Sequence, residues 1–131
     1  MGREILVDTS ILIAHLRAKS KKKTLFEQAV EEYDQIYISA ITAWEIEYGA
    51  LRAGRPSDLT DLLELVEVLP FGLAEARAAA KIYKELKAHN REIGIRDTFI
   101  AGTCVANNLP LLTTNLEHFG RVNGLRVLEL V

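Results

Sequence analysis

Cysteine is almost missing from this chain: Cys104 is the only one in 131 residues. A disulfide framework is excluded, and so is a site built from clustered thiolates. Cys104 itself sits in an apolar pattern with Phe99 and Ile100, which marks it as a buried small hydrophobe rather than a nucleophile. Histidine is also scarce, and His15, His89 and His118 are scattered without zinc-ligand spacing, so zinc chemistry is not expected. No long hydrophobic run occurs, because Asp8 divides Ile5-Leu6-Val7 from Ile11-Leu12-Ile13. That argues against both a membrane-spanning helix and an export signal, and a cytoplasmic protein is expected. Charge of one sign is lacking too: 16 Lys and Arg against 18 Asp and Glu leave a net charge of −2, so nothing draws the whole surface to nucleic acid. Any such surface must be local, with Lys19, Lys21, Lys22, Lys23, Arg52, Arg55, Arg91 and Arg96 as its material. Each of these alone is an ordinary solvating charge.

What remains is an ordinary globular composition, 49% hydrophobic and 26% charged, long enough to bury a core without disulfides or a structural metal. The apolar run Glu4 to Val7 stops at Asp8-Thr9-Ser10, which predicts a buried strand followed by a helix through Leu16. After the basic segment Lys19 to Lys23, a helix over Leu25 to Tyr33 leads to a strand at Ile36-Tyr37-Ile38. Ser39 and Thr42 then open a helix with Ile41, Trp44, Tyr48 and Leu51 at three- and four-residue spacing, ended near Gly54-Arg55-Pro56. A short helix over Ser57 to Leu65 and a strand over Val66 to Pro70 follow. Leu73 to Leu86 is a long helix with Leu73, Ala76, Ala80, Tyr83 and Lys87 on one face, ending by Asn90. Arg96 to Asn107 is a further helix, Leu111-Leu112 a fourth strand, Asn115 to Phe119 a helical turn, and Leu125 to Leu130 a last strand. There is no internal repeat. Short strands separated by helices indicate an α/β domain with a mainly parallel sheet covered on both faces.

Ligands of such sheets bind outside the carboxyl ends of the strands, and the acids of this chain fall at that edge. Asp8 follows the first strand, Glu45 lies a turn or so beyond the second, Thr113-Thr114-Asn115 follows the fourth, and Asp97 opens the helix that leads into the fourth. Each acid alone has a simpler reading. Asp8 and Asp97 suit helix N-caps, and Thr42-Ala43-Trp44-Glu45 matches a capping box. Together they do not, because converging carboxylates repel one another unless a cation neutralises them. Magnesium fits such an all-oxygen set, being held by one or two carboxylates, waters and a substrate phosphate. The chemistry that follows is phosphodiester hydrolysis. Glu47 points away from this edge and is expected in solvent, as is His118.

The segments Ile5-Leu6-Val7-Asp8-Thr9-Ser10, Glu45 in its helix, Ile93-Gly94-Ile95-Arg96-Asp97-Thr98-Phe99-Ile100-Ala101 and Leu112-Thr113-Thr114-Asn115 together resemble the ordered motifs of the PIN domain. Chain length and His118-Phe119 point to its VapC toxins. The resemblance covers essentially the whole chain and implies a single PIN-like domain over residues 1–131, a three-layer fold and a metal-dependent endoribonuclease using Mg²⁺, with Mn²⁺ a substitute. It also implies an RNA substrate, a cognate antitoxin and a homodimer. By the same resemblance Asp8 and Asp97 are the principal metal ligands, Glu45 is a ligand or water-mediated partner, and Thr113 and Asn115 complete the site. The family often has aspartate where Asn115 stands, and an amide brings no charge; Glu117 would compensate only by turning inward. A non-catalytic binding domain and a DNA nuclease remain alternatives, since fold alone does not establish activity and nothing in the residues reads the 2′-hydroxyl. A receiver or phosphatase fits less well, because Asp8 is followed by Thr9 and Ser10 rather than by a second acid.

Overall fold

The computed structural model describes residues 2–129. Its centre is β1 (Glu4–Val7), in which Ile5, Leu6 and Val7 are each 0% exposed. A strand buried on both faces must be apolar at every position, which is why this run does not alternate with polar residues. Its side chains still alternate in direction. Ile5 and Val7 join Phe26, Ile36, Ile38, Ile46 and Leu112 on one face. Leu6 joins Ile100, Leu111 and Phe119 on the other.

Around β1 stand β2 (Gln35–Ser39) and β4 (Leu111–Leu112), with β3 (Glu67–Leu69) and β5 (Val127–Leu128) at the edges, in the order β3-β2-β1-β4-β5. Every pairing is parallel. The helices are α1 (Thr9–Arg17), α2 (Leu25–Glu32), α3 (Ala40–Arg52), α4 (Asp58–Leu62), α5 (Leu73–Ala88), α6 (Ile95–Ala106) and α7 (Leu116–Phe119). With apolar clusters on both faces of the sheet, this is the three-layer α/β arrangement expected. The last strand is shorter than the run Leu125 to Leu130 suggested, and Leu130 lies outside the described residues. Among the described residues no helix is long and apolar enough to cross a membrane.

Two helices turn a different face inward from the one their apolar periodicity suggested. On α3 the buried residues are Thr42, Ile46 and Ala50, while Trp44, Tyr48 and Leu51 stand in solvent. On α5 they are Ala79, Ile82 and Leu86; Leu73, Ala76 and Ala80 are exposed. The reason for α5 is its close approach to α6. A Cβ built on Gly102 would lie 2.8 Å from the Cβ and backbone nitrogen of Ala79, so only glycine fits where these helices touch. Small residues, not the largest apolar ones, therefore define that interface.

Candidate active site

Three parallel strands end at one edge of the sheet, and the chain there turns directly into helices. Asp8 follows β1 and is 4% exposed; its backbone N–H donates to the Leu112 carbonyl at 2.9 Å, tying it to the end of β4. It occupies the N-cap position of α1, yet its side chain makes no capping hydrogen bond. Instead Oδ2 accepts from Ser10 Oγ at 2.8 Å and from Thr113 Oγ1 at 2.8 Å. Thr113 Oγ1 also accepts from the Asn115 backbone N–H at 2.9 Å, which uses its lone pair and aims its proton at Asp8. Two donors on one oxygen fix the plane of this buried carboxylate.

Asp97 lies in the first turn of α6, whose N-cap is Gly94 at φ 92°, a left-handed conformation that an L side chain would strain. The helix starts two residues before Asp97, so the carboxylate is not a cap but projects from within the turn. Its Oδ2 is 3.3 Å from His118 Nδ1, and that nitrogen is 3.0 Å from Asn115 Nδ2. Nδ1 carries at most one proton, so it either accepts from the amide or donates to the carboxylate. Burial pushes the Asp97 carboxyl above its ordinary range; the bond to His118 lowers it, the negative charge of Asp8 adds to the rise, and the charges of His118 and Arg96 oppose it. Asp8 and Asp97 are thus close enough to repel.

Glu45 is held by a directed chain of hydroxyls. Ser39 Oγ accepts from the Thr42 N–H at 3.0 Å and donates to Thr42 Oγ1 at 3.2 Å. Thr9 Oγ1 donates to Glu45 Oε1 at 2.7 Å, so across the 2.8 Å contact between Thr9 and Thr42 it is Thr42 that donates. Ser39, not Thr42, caps α3, and Glu45 does not reach back to form the capping box. Its other oxygen stands 3.6 Å from an Arg96 guanidinium nitrogen.

The structure brings Asp8, Thr113, Asn115 and Asp97 into one connected set and leaves Glu45 on an adjoining one through Thr9. Sequence reasoning missed Ser10, Thr9 and Thr42 as supports, because hydroxyls near helix starts read as local caps. It placed His118 in solvent, whereas the side chain is half-buried against Asp97. Glu47 was also expected in solvent; it is partly buried, with Oε1 enclosed and without a partner. Glu117 points outward and pairs with Arg121 at 3.0 Å. Among the described residues no three Asp, Glu, His or Cys side chains are gathered into a ready-made metal cage. An ion of the magnesium type needs less, taking one or two carboxylates and completing its shell with water and substrate. The mutual repulsion of Asp8 and Asp97 and the oxygen character of the donors fit that requirement.

The burial of Asp97, with the charge of Asp8 adding to it, has a measurable sign. Because folding raises the Asp97 pKa, the stability it contributes is full below the unfolded value of 3.8 and is lost as pH rises through the raised value. Asparagine mimics the protonated acid. In chelator, Asp97→Asn is therefore expected to melt above the wild type at pH 7, with the gap closing toward pH 3.8. Thermal melts over that range check this, and a mutant less stable at neutral pH would contradict it.

The model of the PIN domain family matches residues 5–125. A ribonuclease VapC of Rickettsia bellii is 37% identical over 131 residues, covering 95% of this chain and 94% of the relative. The tRNA(fMet)-specific endonuclease VapC of Shigella flexneri is 30% identical over 127 residues, covering 94% and 95%. Among solved structures, DNA-bound VapBC of Salmonella typhimurium superposes with a TM-score of 0.83 at 27% identity over 98% of both chains. VapBC-1 of nontypeable Haemophilus influenzae gives 0.84 at 26% over 96% of this chain and 97% of that one. A match spanning nearly the whole sheet and every acid-bearing segment, with VapC relatives of equal length, leaves one assignment: the chain belongs to the PIN domain family, in its VapC branch.

Proposed function

We propose that this chain is a Mg²⁺-dependent endoribonuclease, the toxin of a toxin–antitoxin pair, with Asp8 and Asp97 as metal ligands and Glu45 as a third, water-mediated partner. The observation that carries this is the buried Asp8 carboxylate at the end of β1, locked in place by Ser10 and Thr113, with Asp97 of α6 gathered to the same edge through Thr113, Asn115 and His118. Its VapC relatives are named as ribonucleases, and PIN ribonucleases depend on a divalent metal; the choice of Mg²⁺, with Mn²⁺ as substitute, rests on the all-oxygen donor set. When bound, the ion supplies positive charge for the phosphodiester and makes water a better nucleophile. The chain's own work is positional. Thr113 and Ser10 hold Asp8 in its plane. Asn115 accepts from the His118 backbone N–H and so seats the ring that stands against Asp97, and Thr9 fixes one oxygen of Glu45, leaving Arg96 near the other to meet a phosphate.

The single domain over residues 1–131, the homodimer and the cytoplasmic setting belong to the same reading. So does the antitoxin, since solved relatives are VapBC complexes. A guanidinium from such a partner would satisfy the paired carboxylates without a metal. Beside Glu45 a cleft of about 150 Å³ between α1 and α3, walled by Ile13, Leu16, Ile46 and Ala50, offers an apolar seat for the rest of that segment.

One assay tests this: cleavage of RNA and of matched DNA by the purified chain, with Mg²⁺, with chelator and with the cognate antitoxin. RNA cleavage that needs Mg²⁺ and stops on adding antitoxin is expected. Equal cleavage in excess chelator would remove the metal, and preference for DNA would replace the substrate.

A further inference from the structure

On the solvent face of α3, Trp44 and Tyr48 lie one helical turn apart with rings stacked at 5.6 Å and an interplanar angle of 4°. Both are more than half exposed, at 55% and 52%. Arginines flank the pair. The Arg52 guanidinium lies 5.7 Å from the Tyr48 ring centre and that of Arg96 lies 5.9 Å from the Trp44 ring centre. The stripe does not serve the core, because the buried face of this helix is Thr42, Ile46 and Ala50. It is continuous with the acids: Trp44 precedes Glu45, Arg96 precedes Asp97, and the same Arg96 reaches both the Trp44 ring and Glu45.

We propose that the ladder Arg96, Trp44, Tyr48 and Arg52 is the seat of the single-stranded RNA next to the cleaved phosphate, with a base taking the place of the Arg96 guanidinium over Trp44 and the arginines taking the flanking phosphates. This rests on the ribonuclease reading above and gives it a substrate class, an unpaired strand. The chemistry matches part by part. Flat, exposed π surfaces accept any base, and guanidinium groups pair with phosphate oxygens and stack on rings. From Trp44 to Arg52 the helix advances about 12 Å, the span of about three stacked nucleotides. A duplex could not offer an unstacked base to this surface. The chain has no net positive charge to hold RNA by general attraction, so the binding surface must be local, and this stack with its two arginines is such a surface.

Trp44 is the only tryptophan, so its fluorescence reports directly on the ladder. The test uses the full chain with Mg²⁺ and an unstructured RNA oligonucleotide, beside the same sequence closed into a duplex. Quenching of Trp44 by the single strand, and preferential cleavage of it, are expected. Trp44→Ala should raise KM about tenfold with kcat little changed, and Trp44→Phe should recover most of that loss, in line with the usual worth of one stacked base. Sedimentation of each variant accompanies the kinetics. A wild type that cleaves RNA while Trp44→Ala keeps its KM would overturn the ladder alone. So would a Trp44→Ala whose only change is dissociation of a dimer, which would assign the stripe to a second copy of the chain. A wild type that cleaves no RNA with any divalent ion would remove the ribonuclease reading, and the ladder with it.

Discussion

Asp8→Asn is expected to abolish RNA cleavage, by about a thousandfold or more, without unfolding the chain. The size follows from what a metal-held charge contributes to a phosphoryl transition state, several kcal/mol, at 1.36 kcal/mol per tenfold in rate. The retained fold follows from the geometry. The interactions of Asp8 with Ser10 and Thr113 converge on one oxygen, and the amide oxygen of asparagine can accept both. Removing a buried negative charge that faces Asp97 also relieves repulsion, so in chelator the variant should melt no lower than the wild type. Added Mg²⁺ should raise the melting temperature of the wild type by mass action and that of the variant much less. Cleavage and melting, each with and without Mg²⁺, measure this. An active Asp8→Asn, or a wild type whose melting ignores saturating Mg²⁺, would return Asp8 to a purely structural role.

The largest stability loss is expected outside the acid cluster, at Gly102 on α6. A Cβ there would meet the Cβ, nitrogen and Cα of Ala79 at 2.8 to 2.9 Å, two of them backbone atoms that cannot rotate aside. Overpacking of this kind costs about 1–3 kcal/mol, and Gly102→Val, with two further methyl groups, is expected at or above the top of that range. A chain of this size then melts roughly 10 °C lower. Because α6 also carries Asp97, the helix must move away from α5 to make room, and cleavage should fall even below the melting point. Gly102→Ala should show a milder form, and Ala79→Gly should restore only the part due to the Ala79 Cβ, since the backbone nitrogen and Cα stay in place. That coupling, read from a double-mutant cycle in thermal melts, separates a close helix contact from a general intolerance of change. Two losses that simply add would refute the contact.

Much of this was legible in the residues. An apolar run stopped by Asp8 marks a buried strand with an acid at its end, and the alternation of short strands with helices points to a mainly parallel sheet whose carboxyl edge carries Asp8, Glu45, Asp97 and Asn115. The faces of α3 and α5 were not legible, for a common reason. Periodicity points to the stripe with the largest apolar side chains, but α5 buries Ala79 because α6 comes too near for anything larger. On α3, Ile46 and Ala50 pack inward while Trp44 and Tyr48 stack on each other outside. The supports of the acids were hidden as well. Thr9 and Thr42 are 33 positions apart and His118 is 21 from Asp97, and no local spacing links such residues before the sheet is assembled.

The bond from Thr113 to Asp8 spans 105 positions, and β1 obtains its neighbour β4 from the same late stretch of sequence. Contacts of such separation pay their loop-closure entropy before they return anything, and they form late. During synthesis β1 and its acid are made first, while the partner strand, Thr113 and the helix α7 that carries His118 are made more than a hundred residues later. A growing chain therefore has Asp8 held by Ser10 alone, without Thr113, and Asp97 without its histidine. Since residues are added at about 5–20 per second, a nascent chain spends several seconds incomplete at this edge, and hydrolytic competence arrives only once Thr113 and His118 have been added.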